Sequence, residues 1–290
     1  MICNLCPRKC NAERNDSIGK GYCKMPKSLY VSRVAHHYWE EPVISGKKGT
    51  VAVFFTGCTL DCIYCQNREI SHSNLGRKVT INELAKEVTL LLDKGAESLS
   101  FITPSHYTNG IIQLLDIISP NVPVVYNTSG FDSIETLKKL EGYIDIYLPD
   151  LKYSNNDLGL EYSNVKNYFD ITSKAIEEMV RQTGKPIINQ DGIMEKGTMV
   201  RNLVLPGHTK NSIEVINYLA EKYGDKILFS LMGQYIPYGD AKKHKKLHRK
   251  ITKREYEKVL TAFESSGLNG YCQELSSANE KYIPEWDLDV

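Results

Sequence analysis

The stretch "GCTLDCIYCQN" at 57–67 places Cys58, Cys62 and Cys65 with three and then two residues between them. A loop of this spacing brings three sulfurs to one side of a short turn. Thiolates grouped in this way are ligands for zinc or for an iron–sulfur cluster. Three thiolates leave either centre one protein ligand short, so a distant residue or a non-protein group must complete the set; incidental thiols are the bland alternative. Cys3, Cys6, Cys10 and Cys23 form a second group, and four thiols at short spacing suit a closed site, zinc or a second iron–sulfur cluster. A redox pair at Cys3 and Cys6 is a further reading. Seven of the eight cysteines lie at or before residue 65 and only Cys272 lies beyond. Core cysteines would be scattered, so Cys272 alone is expected to be a buried structural thiol.

The composition frames these groups. Of 290 residues 41% are hydrophobic and 24% charged, ordinary for a globular chain. Lys+Arg total 36 and Asp+Glu 35, a net charge of +1, which argues against a general affinity for nucleic acid or anionic membranes. The opening "MICNLCPRKC" carries no apolar run of the signal-peptide kind, and no stretch approaches the ~18 consecutive apolar residues of a membrane span. The expected location is cytoplasmic, where disulfides are rare and clustered cysteines are better explained as ligands.

Elements must position these thiols. Residues 1–45 read as an irregular, Cys-rich metal-binding segment, and 46–290 as the main domain with a C-terminal extension. "SGKKGT" at 45–50 lacks the spacing of a phosphate-binding loop and reads as a turn. From residue 50, short apolar runs alternate with amphipathic stretches. Strands are expected at "TVAVFFTG", "SLSFIT", "VPVVYN", "IDIYLPD", "TMVRNLVL" and "KILFSLM". Helices are expected at "TINELAKEVTLLLDKG", residues 107–118, "SIETLKKLEG" ending at Gly142, residues 166–184, "KNSIEVINYLAEKYG" and residues 252–267. Thr80 and Glu83 spell a capping box for the first of these, and Ala175, Ile176, Met179 and Val180 share one face of the fourth. Six strand–helix units imply a parallel sheet with right-handed crossovers, as a partial barrel or an open doubly wound sheet. In both, the site lies at the C-terminal ends of the strands, where the cysteine triplet falls.

"CTLDCIYC" in this place resembles the signature of the radical S-adenosylmethionine superfamily. Within it the chain is most similar to the uncharacterised proteins related to pyruvate formate-lyase activating enzyme, through "CNLCPRKC", "WEEP", "FFTGC", "CQN", "TPSHY", "VYNTSG", "YLPDLKY" and "VRNLVLPG". The resemblance implies an α/β fold, a partial (β/α)6 barrel with a small Cys-rich N-terminal appendage. It implies that Cys58, Cys62 and Cys65 hold a [4Fe–4S] cluster whose open iron is chelated by S-adenosylmethionine, and that an electron from a donor such as flavodoxin or ferredoxin cleaves the S–C5′ bond. The resulting 5′-deoxyadenosyl radical would take a hydrogen atom from substrate, such as a glycine of a glycyl radical enzyme. Lys152 and Arg201 are then expected to meet the methionine carboxylate, with Asp150 beside them. Thr103 and Ser105 are expected near the amino group, Asn127 and Thr128 in the third-strand motif, and Gln234 near adenine. "NTSG" carries Asn127 where the family's motif has aspartate, which puts any cation site there in doubt.

The remaining candidates are weighed against plain readings. Asp150 with Lys152, and Arg201, could be strand-end ion pairs. His106 and His208 follow strands and read as loop histidines, and His36 and His37 are given no role. "KKHKKLHRK" at 242–250 reads as a solvated loop, with docking of an acidic electron donor as the alternative. Besides glycyl-radical formation, a radical enzyme acting on a small molecule or peptide and a non-catalytic iron–sulfur or zinc electron carrier are the competing functions.

Overall fold

The computed structural model describes residues 2–17, 19–72, 75–279 and 286. Two short strands, β1 (Ile2–Cys3) and β2 (Ala12–Glu13), pair antiparallel at the start. Then come β3 (Leu29–His37), α1 (Pro42–Ser45), β4 (Thr50–Phe55), α2 (Arg68–His72), β5 (Arg77–Val79) and α3 (Ile81–Leu92). The alternation continues with β6 (Ser98–Ile102), α4 (Thr108–Ile118), β7 (Val124–Thr128), α5 (Ile134–Lys139), β8 (Ile146–Pro149), α6 (Asn156–Ser163) and α7 (Tyr168–Thr183). It closes with β9 (Ile187–Ile188), β10 (Met194–Leu203), α8 (Thr209–Tyr223), β11 (Leu228–Met232), α9 (Lys253–Glu264) and β12 (Gly270–Cys272).

The main sheet runs β12-β11-β10-β8-β7-β6-β4-β3-β5, with β9 paired to β10. From β4 through β12 the strands on this path are parallel, while β3 runs antiparallel to both of its neighbours, β4 and β5. This is the expected α/β architecture with six strand–helix units, and β12 adds a short parallel strand after the last helix. Every residue of β4, β6, β7, β8 and β11 is buried, as expected of a parallel sheet covered on both faces. The pleat sorts their side chains into two environments. Val51, Val53, Phe55, Leu99, Phe101 and Tyr126 pack outward against helices α3 and α4. Val125, Ile146, Leu148, Met199 and Leu228 face inward around Val43 and Ile44 of α1, which plugs the base of the concave side. The capping box at Thr80 and Glu83 starts α3 as read, and Thr252 with Glu255 repeats it at α9.

Three expectations are corrected. Residues 29–37 are not irregular: β3 is a nine-residue strand paired with β4, so the tail of the Cys-rich segment belongs to the main sheet. The helix read to Gly142 ends at Lys139, and α6 was not foreseen. Cys272 is exposed rather than buried, because β12 is the sheet's edge strand and has an exposed–half-buried–exposed pattern.

Candidate active site

The loops leaving the C-terminal ends of β4, β6, β7, β8, β10 and β11 surround one cavity of about 390 Å³. Cys58, Cys62 and Cys65, from the loop after β4, all line it. The Leu60 N–H lies 3.4 Å from Cys58 Sγ, Ser163 Oγ is 3.0 Å from Cys62 Sγ, and Ser71 Oγ is 3.5 Å from Cys65 Sγ. Behind Cys62 the hydroxyls continue inward, Ser163 to Tyr153 at 2.7 Å and Tyr153 to Tyr64 at 2.7 Å. Burial pushes all three thiols up, Cys62 to about 11 even with Lys152 pulling the other way. Binding a metal centre must therefore displace protons. Among the described residues no three His, Cys, Asp or Glu side chains converge tightly enough for a single metal ion. Three thiols lining one cavity are the donor set that would hold an iron–sulfur cluster with one position left to a non-protein ligand.

Opposite the thiols lies a buried ionic group. Arg201 Nε donates to Asp150 Oδ1 at 2.8 Å, its Nη2 donates to Asn127 Oδ1 at 2.7 Å, and Lys152 Nζ donates to Asp150 Oδ2. The ion-pair reading of Asp150, Lys152 and Arg201 thus holds in this geometry, and all three also line the cavity. Sequence reading missed the other two members. Glu40 and Glu41, from the "WEEP" stretch before α1, place carboxylate oxygens 3.7 and 3.8 Å from Arg201 Nη1. Asn127 Nδ2 donates to Glu40 at 2.9 and 3.2 Å, and Ser230 Oγ donates to Glu41 Oε1 at 3.2 Å. The Glu41 Oε2 atom is buried with no hydrogen-bond partner. Burial raises both glutamates against the pull of Arg201, Glu41 to about 7. Burial also acts on Asp150, but Arg201 and Lys152 outweigh it and hold the carboxyl below its ordinary range. Asn127 suits this place because its amide N–H donates a hydrogen bond to Glu40 while its oxygen accepts one from Arg201, which an ionised aspartate could not do.

The other expected residues separate. Thr103 lines the cavity with a left-handed backbone, φ 57, unusual for a β-branched residue and a mark of local strain at the strand end. Thr128 and Gln234 line it too, although the Thr128 hydroxyl is already given to Asp132 at 2.5 Å. Ser105 is buried beside the cavity rather than on its lining, with its hydroxyl 3.4 Å from Thr128 Oγ1. His106 is buried against the Thr56 carbonyl at 2.7 Å, and burial drops it to about 3, so it stays neutral and structural. His208 is held 2.7 Å from the Tyr162 hydroxyl and likewise lies off the cavity. In 242–250 the lysines are exposed around a buried Leu247, the solvated loop expected.

A family model described as the Radical SAM superfamily matches residues 52–219. The chain is 28% identical over 276 residues to the uncharacterized protein MJ0674 of Methanocaldococcus jannaschii, covering 92% of this chain and 75% of that protein. Among solved structures it is similar to methylornithine synthase PylB, with a TM-score of 0.55 at 14% identity over 83% of this chain and 78% of the other. It is also similar to Streptococcus suis SuiB bound to S-adenosylmethionine, with a TM-score of 0.52 at 16% identity over 78% of this chain, and it spans only 51% of SuiB.

Proposed function

Because the chain belongs to the Radical SAM superfamily, we propose that it is an enzyme that cleaves S-adenosylmethionine reductively in this cavity and takes a hydrogen atom from a protein or peptide substrate. A glycine of a glycyl radical enzyme is the substrate the motifs point to. The observation that carries the reading is the meeting of Cys58, Cys62 and Cys65 with Asp150, Lys152 and Arg201 on the wall of one cavity. The family implies a [4Fe–4S] cluster and S-adenosylmethionine, and these supply the bond cleavage and the radical once an electron arrives.

The chain's own residues do the rest. Cys58, Cys62 and Cys65 would hold three irons, and the Leu60 N–H and Ser163 hydroxyl would offset the charge on their sulfurs. Lys152 and Arg201 present two cations to the methionine carboxylate, with Asp150 fixing both in place before the ligand arrives. Glu40 and Asp150 give the same wall acidic groups suited to a ligand carrying an ammonium and a sulfonium. Thr103 and Gln234 mark the amino-group and adenine sides, and Phe54, Ile70 and Ile102 exclude water from the cavity.

Trp39 supports a protein or peptide substrate: it is 71% exposed and lines the cavity, and a large aromatic exposed at the rim of a site suits a macromolecular partner. SuiB, a protein of this fold, has been solved with its precursor peptide bound. The second reading, a small-molecule substrate, draws on Gln273 and Ser277, which narrow the same cavity from the C-terminal side. One experiment tests the glycyl radical enzyme as substrate. The reconstituted protein, S-adenosylmethionine and a strong reductant are mixed without oxygen with glycyl radical enzymes deuterated at glycine. Deuterium in 5′-deoxyadenosine and a glycyl radical signal on the partner are expected. Unlabelled 5′-deoxyadenosine with every such partner would sink the glycyl radical enzyme as substrate.

A further inference from the structure

The N-terminal appendage carries a second thiol cage outside the main cavity. Cys3 and Cys6 are buried, Cys23 is half-buried and Cys10 is exposed. Pairing of β1 with β2 sets Cys3 opposite Ala12, and a turn closed by the Lys9 N–H on the Cys6 carbonyl at 3.1 Å leads into Cys10. Gly21 faces that thiol so closely that a Cβ there would stand 3.0 Å from Cys10 Sγ. Cys6 lies within electrostatic reach of Cys3, Cys10 and Cys23, so the four thiols share one neighbourhood. The spacing points to the kind of centre: Cys3, Cys6 and Cys10 run with two and then three residues between them, the compact run of an iron–sulfur ligand set, and Cys23 has no CxxC partner of the zinc-ribbon kind.

The cage sits behind the catalytic loop rather than on the substrate side. None of its four cysteines lines the main cavity. Cys23 and Cys58 instead line one further cavity of about 430 Å³. At Gly57, with φ 84, a Cβ would strike the Met25 side chain at 2.4 Å and stand 3.1 Å from the Cys23 carbonyl, so the cage rests on the residue before Cys58. Arg8 Nε donates to the carbonyl of Thr59, the residue after Cys58, at 2.9 Å, with its guanidinium 3.7 Å over the Tyr22 ring. The segment's surface is basic: the exposed Lys9, Lys20, Lys24 and Lys27 stand against the exposed Glu13 and Asp16 in residues 1–28.

We propose that Cys3, Cys6, Cys10 and Cys23 hold a second iron–sulfur cluster that passes single electrons from an acidic, low-potential protein donor to the centre held by Cys58, Cys62 and Cys65. The donor is oxidised by one electron, the second cluster is reduced and reoxidised, and no bond or proton changes hands. The relay rests on the proposed reaction, and the test keeps the two apart. Wild type and a Cys10→Ala, Cys23→Ala variant are loaded without oxygen and compared. Wild type is expected to hold about eight irons per chain and the variant about four, with S-adenosylmethionine binding unchanged. Dithionite should drive cleavage in both, and reduced flavodoxin in wild type alone. Lys20→Glu with Lys24→Glu, both lysines lining the shared cavity, should slow flavodoxin-driven reduction at low salt and leave dithionite-driven cleavage intact. One zinc beside four irons in wild type would overturn the site. Unchanged flavodoxin-driven reduction in either variant would overturn the relay. Should dithionite cleave nothing in any protein, the proposed reaction falls, while iron content and the spin-resonance signal of flavodoxin-reduced clusters still decide the relay.

Discussion

Arg201 is the residue on which the site's electrostatics turn. It is buried and faces three carboxylates, from Asp150, Glu40 and Glu41, with Lys152 as the second cation. Replacing Arg201 with methionine leaves buried charge uncompensated, a change that typically costs about 3–5 kcal/mol of stability. Lys152→Met removes the cation that the structure pairs with Asp150 alone. It should weaken S-adenosylmethionine binding by ~1–3 kcal/mol while shifting stability less than Arg201→Met does. Calorimetric titration beside chemical unfolding of the two variants checks this, and equal affinity to wild type in Lys152→Met would restrict that lysine to an ion-pair role. Glu41 adds a pH signature. Burial lifts it from 4.5 to about 7, so between those values the folded protein keeps a proton that the unfolded chain has released. The contribution of Glu41 should therefore fall as pH rises through that window, by roughly 3 kcal/mol, while the buried neutral His106 pulls stability the other way below 6.5, so the Glu41 signature is read as a difference between variants. Asp150, held low, loses its contribution only on the acid side of 3.8, outside the window. Glu41→Gln should gain on wild type steadily from pH 4.5 to 7, and a constant difference in unfolding free energy would contradict the assignment. The cysteines, Asp150, Lys152 and Arg201 were legible because a loop or strand end announces them. Glu40 and Glu41 were not, because nothing local in "WEEP" tells that the fold brings them beside a residue some 160 positions away.

The elements explain how those residues are held. α1 has only four residues, yet Val43 and Ile44 fill the base of the concave face and the adjoining Glu40 and Glu41 rise from it toward Arg201. Ile44→Ala opens a cavity among Val125, Leu148 and Met199 and is expected to cost about 2–5 kcal/mol in urea unfolding. It should also weaken S-adenosylmethionine binding, since the two glutamates lose their support; a stability loss of that size with affinity untouched would show that α1 does not position them. The parallel strands were readable because both faces are buried and their sequences are continuous apolar runs. β3 escaped because only Leu29 and Val31 are buried in "LYVSRVAHH", and the half-buried residues after them blur the alternation. β12, three residues long on the sheet's edge, carries no pattern at all.

At the scale of the whole molecule, the chain gathers the strand ends of its main sheet around the cavity of the thiol triplet and sets a thiol-rich appendage against the first loop. Leu5 is pinned there through its carbonyl, which accepts from Ser133 at 3.1 Å and Thr136 at 2.6 Å. Protein contacts therefore help to order this polar segment. Among the described residues no helix is long and apolar enough to cross a membrane. Thiol accessibility follows the same layout. In the loaded protein Cys272 alone should react rapidly with iodoacetamide, and stripping the metal should add Cys10, the other exposed thiol; rapid labelling of Cys10 in loaded protein would place it outside the cage. The central claim is that the cavity bounded by Cys58, Cys62 and Cys65 cleaves S-adenosylmethionine. Its most direct test is 5′-deoxyadenosine formation, measured without oxygen under dithionite, in wild type and in a Cys58→Ala, Cys62→Ala, Cys65→Ala variant. Wild type should form 5′-deoxyadenosine and methionine in equal amounts, and the variant should form none; cleavage persisting in the variant would contradict the account.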